Sequence, residues 1–570
     1  MSNSRNLVMI IVLSIVLTCP LPVHVYHSEA LASNGNPVHN LDTGLNYTSI
    51  QEAIDASETL DGHKIFVEKG VYYENVIVNK KISLIGENKD ETFVDGEGTG
   101  SVICTIADNV TITGFTIQNS GRTISGTVPD AGISISHVSN CNVFGNSLVD
   151  NYVGIFVRPS RNAWFVNNII TRNHIGIDIN NQSTLNIVSG NSLKENNVSI
   201  HVYYADFNVF FENNLTDSPV GVIVRYSSNN TFSENEIRNG LNGMILNGAD
   251  FNGISKNIVL DLEYGIQVKV YADHNVISEN SIKNCSYAGI DLEEHACDNI
   301  LSKNTIASSE VGIDISDCSV NNTISRNHLT ANLVGMHFWN ANLNEIFENN
   351  ITNNSAGAVI LYSQSNRFYH NTLLNNTQQV NISSDHTNCL DNDHPSGGNY
   401  WSDYTDIDLY GGPYQDEAGS DGIGDKSYFI NENNTDRYPL MGPFHSFNTT
   451  MGKHVNIIAN STIGSFQYFE TNSTIKMYVC NMTATQTFGF CRLTIPHDVL
   501  SPPYTVMINY GITNYTTVFE NETLSIIYFS YSHSELEIVI VPEFPLFLFL
   551  PLFMMATLLA VIVYRRKNST

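Results

Sequence analysis

The sequence predicts an all-β chain: a right-handed parallel β-helix with three short strands per coil, then a small β-sandwich-like domain and a C-terminal transmembrane helix. Two repeating markers and one exclusion carry that prediction. A Gly-apolar-x-apolar unit recurs at Gly132, Gly154, Gly176, Ser199, Gly221, Gly243, Gly265, Gly289, Gly312, Gly335 and Gly357, a period of about 22 residues. An Asn keeps phase with it at Asn146, Asn168, Asn191, Asn214, Asn235, Asn257, Asn280, Asn304, Asn327, Asn350 and Asn371. Two markers in phase over so many units identify a repeat architecture before any single-domain reading. Each unit holds short alternating stretches such as Gly265–Val270 and leaves no room for an amphipathic helix. The fixed leucine frame of leucine-rich repeats is absent. A coil of three short strands, stacked on its neighbours and laced by an Asn ladder, meets all of this.

Composition agrees. The chain has 570 residues, 27 Lys and Arg against 56 Asp and Glu, and a formal charge of −29. Nucleic acid is excluded as a partner, because phosphate binding requires a basic stripe. Only 15% of residues are charged, whereas 72 are Asn, which points to Asn as a structural residue. A hydrophobic fraction of 42% is enough for a sizeable core.

Taken in order, residues 1–32 read as a signal peptide, with an apolar run from Leu7 to Cys19 and a small-residue site at Ala30-Leu31-Ala32. Residues 33–395 form the β-helix with its N-terminal capping segment, in which Tyr47–Ala56 reads as a short amphipathic helix closing the apolar end. Residues 396–444 form an acidic, Gly-rich C-terminal cap. Alternating runs such as Thr474–Val479 and Phe488–Ile495 make 445–540 a β-sandwich-like membrane-proximal domain. Residues 541–545 are a Pro linker or sorting element, 546–564 a transmembrane helix, and 565–570 a basic tail that belongs in the cytoplasm. The expected product is exported, extracytoplasmic and anchored in the cell membrane. About twenty Asn-x-Ser/Thr sequons fit such an exterior. Cys480 with Cys491, and Cys297 with Cys318, are each either a bridge or a pair of free thiols.

Lys64–Val76, then Ile82–Glu87, then Gly397-Gly398-Asn399-Tyr400-Trp401-Ser402-Asp403-Tyr404, Asp421–Asp425 and Tyr438-Pro439-Leu440 carry a resemblance. The chain resembles pectin-lyase-like β-helix proteins, and among them the NosD-type family often labelled periplasmic copper-binding. The resemblance spans roughly residues 40 to 444 and implies the fold. Activity transfers poorly, because the family's functions are mixed. Residues 445–540 resemble the membrane-proximal module of archaeal surface proteins, and Val541–Pro545 resembles an archaeosortase-type sorting signal.

Stacking the Gly units brings outward residues into two columns. Asp291, Asp314 and His337 become successive neighbours and are the catalytic candidates, since paired carboxylates beside a His suit acid/base work on a polysaccharide. Arg158, Tyr203, Arg225, Lys269, Glu293 and Trp339 are the ligand-binding candidates, the aromatics as stacking platforms. The plain alternative is a wet, polar strand face. For a metal, Asp403, Asp406, Asp408, Asp416, Asp421 and Asp425 offer hard oxygen ligands on a Gly-punctuated loop, which suits Ca²⁺; capping alone is the alternative. Scattered Met and isolated His give copper no support. The function expected is binding, adhesion or a structural envelope role towards carbohydrate. A carbohydrate-active lyase, hydrolase or epimerase is the alternative, and NosD-like assistance in metal-cofactor assembly is implied by the resemblance.

Overall fold

The computed structural model describes residues 35–125, 128–532 and 534–543. The predicted signal peptide, transmembrane helix and basic tail lie outside the described residues, as do Phe544 and Pro545 of the linker element. Among the described residues no helix is long and apolar enough to cross a membrane.

The N-terminal part is a right-handed parallel β-solenoid of about 14 turns. Each regular coil contributes three strands, for example Asn142–Phe144, Ser147–Val149 and Val153–Arg158, which we call its first, second and third faces. Each strand pairs in parallel with its counterpart one coil on, and the third face keeps the register read from the Gly units. Asp291 pairs with Asp314 and Asp314 with His337. The first and third residues after each Gly point inward. Ile155, Val157, Ile266, Val268, Ile313 and Ile315 are all fully buried in one apolar core running from Val38 to Trp401.

The Gly column exists because coils approach closely there. A Cβ on Gly265 would meet the carbonyl oxygen of Gly289 at 2.4 Å. Ser199 fits the same place, and its hydroxyl bonds that of Ser218 at 2.9 Å.

The Asn ladder is present, but it is one of three. At the corner between first and second faces, Asn168 Oδ1 accepts from the Asn146 backbone N–H (3.1 Å), and Asn191 Oδ1 accepts from Asn168 (2.9 Å). Two assignments shift by one: the ladder runs through Asn213 and Asn349, while Asn214 and Asn350 are exposed strand residues. A ladder Asn must sit at the corner just before the strand, and the Asn-Asn doublets hid which of two it was. The second ladder, between second and third faces, links Asn151, Asn173 and Asn196. The third, between third and first faces, runs unbroken from Asn186 through Asn208, Asn230, Asn252, Asn275, Asn299, Asn322, Asn344 and Asn366 to Asn388. These amides satisfy buried backbone groups at the corners that no strand partner reaches.

Both ends are closed. The helix Ile50–Asp55 lies over the first coil with Ile50, Ala53 and Ile54 buried, and Ser49 caps it by accepting from the Glu52 N–H. At the far end, Asn399 and Asn434 extend two ladders, accepting from the backbone N–H groups of Asn371 (3.0 Å) and Asn388 (2.9 Å). Trp401 plugs the core, stacked on Tyr428 with ring centroids 4.4 Å apart, and its indole N–H donates to Asp436 (2.8 Å).

Residues from Phe444 to Pro542 form two five-stranded antiparallel sheets around a second core. Arg492 from this domain is fully buried against the cap. Its guanidinium lies 3.3 Å from the Asp421 carboxylate and donates to the carbonyls of Asp421 and Pro395. Cys297, Cys318, Cys480 and Cys491 are all free thiols, so the bridge readings give way to the unpaired ones. Cys480 and Cys491 sit on different sheets, and Cys491 is buried beside the Tyr531 hydroxyl.

Candidate functional site

The second residue after each Gly points away from the core, as the alternation requires. It is nevertheless covered: Asp178, Asp291 and Asp314 are only 4%, 3% and 4% exposed. This corrects the picture of a wet strand face. Near the C-terminal half of the third face, Tyr264 and Tyr287 pack with ring centroids 4.8 Å apart and planes tilted by 40°, and burial together with the neighbouring carboxylates raises both phenols. Tyr287 comes from the longer coil before Gly289. There the register slips between Leu262 and Tyr264, so that Tyr264 pairs with Ala288.

Within this sheltered column the polar groups bond along the solenoid axis. Asn242 donates to Gln267 (2.6 Å), and Gln267 donates to Asp291 (3.2 Å). One coil on, His337 Nδ1 lies 2.8 Å from Asp314 Oδ1. Burial, then the charge of Glu293, raises the Asp291 carboxyl to about 7; Asp314 adds to this, while Gln267 and Lys269 oppose it. A carboxyl that holds its proton near neutrality beside a second carboxylate and an imidazole is equipped for proton transfer and for hydrogen bonding to hydroxyls.

The other ligand-binding candidates flank this column. Lys269 and Glu293 pair at 3.3 Å, so the Lys charge is largely spent within the face. Tyr203 and Arg225 occupy paired positions, with Arg225 exposed; Arg158 is half-buried, two third-face strands before Tyr203. Trp339 is 43% exposed and packs against Tyr362 at 4.6 Å.

Sequence reasoning missed the rest of an aromatic edge. Tyr204 and Tyr226 stack at 5.2 Å, Tyr203 meets Tyr204 edge-on at 4.5 Å, and Tyr271 stacks on His295 at 4.9 Å. It also missed that Asp178 and His201 form a pair, with Nδ1 2.9 Å from Oδ1. Beside them a recess of about 270 Å³ is lined by Asn181, Gln182, Tyr204, Asp206 and Tyr226. A shared offset from the Gly marker, Asp in one coil and His in the next, was the available signal.

In the cap, each carboxylate expected to bind metal has a nearby partner except the exposed Asp416. Lys426 pairs with Asp406 (2.9 Å), and the Tyr428 hydroxyl meets Asp403 (3.1 Å). Backbone N–H groups of Asp421 and Gly422 donate to Asp408 (2.9 and 2.8 Å), and those of Leu409 and Tyr410 to Asp425 (3.0 and 3.1 Å). Asp421 faces Arg492. Burial raises Asp408 to about 7. Among the described residues no three His, Cys, Asp or Glu side chains converge on a common point.

The family described as "Periplasmic copper-binding protein (NosD)" matches residues 54–245 and 221–406. A "Cell surface glycoprotein" of Methanothermus fervidus is 33% identical over 117 residues, covering 20% of this chain and 18% of that protein. The chain therefore spans less than a fifth of that relative's length. Among solved structures, the pre-mature gene product 12 of bacteriophage phi29 superposes with a TM-score of 0.48 at 13% identity, over 56% of this chain and 53% of that one. The tailspike protein of E. coli bacteriophage HK620, in complex with pentasaccharide, gives 0.46 at 10%, over 89% and 92%.

Copper calls for clustered thioether, thiolate or imidazole donors. Here Met244, Met336 and Met477 are core residues, and burial raises the thiols of Cys285 and Cys491 to about 12. Among the described residues the donors do not fit copper.

Proposed function

The chain belongs to the NosD family, and on that premise we propose that it is a cell-surface β-helix protein whose third face binds glycan without turning it over. One observation carries the reading. Exposed aromatic rings, namely Tyr204 with Tyr226, Tyr271 with His295, and Trp339 with Tyr362, line one edge of a sheltered column of hydrogen-bonding side chains. Sugars present an apolar face and a rim of hydroxyls, and such an edge answers both. The similarity to a cell surface glycoprotein supports an extracytoplasmic place, as do the expected signal peptide and C-terminal anchor.

Binding and product release, scored together on a panel of neutral glycans and polyuronates, test this. Binding without release is expected. Trp339→Ala should weaken it about tenfold, the loss of roughly 1.4 kcal/mol of stacking.

A second reading is favoured by Asp291. A carboxyl raised to about 7 one strand, roughly 4.8 Å, from the Asp314–His337 pair suits acid/base cleavage of a glycosidic bond. Release of product that vanishes in Asp291→Asn and Asp314→Asn would replace binding by catalysis. Assistance in copper-cofactor assembly gains nothing from the donors present.

A further inference from the structure

The Asp314–His337 site is repeated. Asp178 stands where Asp314 does, His201 where His337 does, and Tyr203 where Trp339 does. Tyr226, in the turn one coil further on, stands where Tyr362 does. The His–Asp contacts match, at 2.9 and 2.8 Å. Both carboxylates are almost fully buried; Tyr203 stacks on His201 at 5.9 Å, and Trp339, two residues after His337, packs edge-on against Tyr362 at 4.6 Å. Asp178 and Asp314 are six strand steps apart on one face, about 29 Å at the usual strand spacing. Between His201 and Asp314 the column carries Ile223, Ile245, Gln267 and Asp291.

Resting on the glycan reading, we propose that Asp178, Asn180, His201, Tyr203, Tyr204 and Tyr226 form a second subsite, and that one extended neutral glycan lies along the third face across both. The N-terminal place is built to receive a ligand in two respects that its aromatic rings do not explain. It carries the recess of about 270 Å³ beside Tyr204 and Tyr226. It also holds Asn180 Oδ1, a buried acceptor that no donor among the described residues reaches, while its Nδ2 leans on Asp178 at 3.5 Å. An orphaned acceptor of this kind is costly until water or a ligand hydroxyl meets it. The charge sets the class. The chain carries a formal charge of −29, Glu293 and the carboxylates beneath the face disfavour polyanions, and Lys269 is already paired with Glu293, which leaves Arg225 as the exposed cation of this edge. A neutral, hydroxyl-rich polymer fits, and a polyuronate does not.

Calorimetry on the full-length chain with mannan, β-glucan and galactan oligosaccharides of graded length tests this, with alginate as the anionic control. Two variants each strip exposed or half-exposed rings and leave the core untouched: Tyr203→Ala with Tyr226→Ala, and Trp339→Ala with Tyr362→Ala. Two short oligosaccharides should bind per wild-type chain and one per chain of either variant. A glycan long enough to span should bind at least tenfold tighter than a short one, because the second contact becomes intramolecular, and either variant should abolish that gain. One short oligosaccharide per wild-type chain, lost with Trp339 and Tyr362 but indifferent to Tyr203 and Tyr226, would overturn the second subsite and keep the glycan reading. No binding by any form would overturn both. Tighter binding of alginate would overturn the neutral class.

Discussion

Replacing Asp291 by Asn tests whether the sheltered column is as dry as its burial implies. Asp291 is faced by Glu293, Asp314, Lys269, Gln267 and the Tyr264 hydroxyl, and its carboxyl is raised from 3.8 to about 7. A group whose folded pKa exceeds its unfolded value binds its proton more tightly when folded. The stability it contributes is whole below about pH 4 and is lost as pH rises through about 7. The span from 3.8 to about 7 corresponds to roughly 4 kcal/mol at about 1.36 kcal/mol per pH unit. Asn cannot ionise, yet its carbonyl oxygen still accepts from Gln267. The stability of Asp291→Asn relative to wild type should therefore grow by up to about 4 kcal/mol between pH 4 and about pH 8. Asp408 and Asp436, both raised to about 7, stay in each protein and cancel in the difference. Urea denaturation across that range measures the sum. Hydrogen exchange at the amides of Ile290 and Ile313 localises it, since solenoids open by segments. Parallel curves for the two proteins would refute the reasoning and mean that water reaches Asp291.

Four further outcomes are expected. Arg492→Met strands Asp421 as a buried charge and should cost about 3–5 kcal/mol in urea denaturation, with Asp421→Asn in the same chain recovering most of it. Asn213→Ala removes the acceptor for the Asn191 backbone N–H (3.1 Å) and the donor to the Val188 carbonyl (2.9 Å), so it should cost about 2–4 kcal/mol. Asn214→Ala, on the exposed neighbour, should stay within about 0.5 kcal/mol. EDTA should leave the melting temperature unchanged, because Lys426 and backbone amides already hold Asp406, Asp408 and Asp425; a drop of several degrees would return Ca²⁺ to the cap.

What could be read from the sequence was whatever depends on period alone. The coil length, the inward and outward positions and the pairing of Asp291, Asp314 and His337 all follow from counting residues between Gly markers. Two of the three ladders carried the same period and went unread beside the first. Contacts that cross the face were a different matter. Tyr287 shelters Asp291 because the coil before Gly289 is longer, and no count says which way an inserted residue turns. Asp178 and His201 stood in the column from the start, but as an Asp and a His in different coils. Their bond needed the register at atomic detail. In the cap, too, spacing showed the carboxylates but not the backbone N–H groups that reach Asp408 and Asp425.

The ladders also constrain how such a molecule changes length. Inserting or deleting residues at a corner held by an Asn ladder would put its Asn out of step with those above and below, stranding buried N–H groups on both sides; the longer coil before Gly289 takes up its extra residues away from the two ladders that pass through it. Gaining or losing a whole coil leaves each register intact. Lineages of this solenoid should therefore differ by whole coils. The distance between the two Asp–His pairs would then move in steps of about 4.8 Å, a ruler cut in advance into equal divisions.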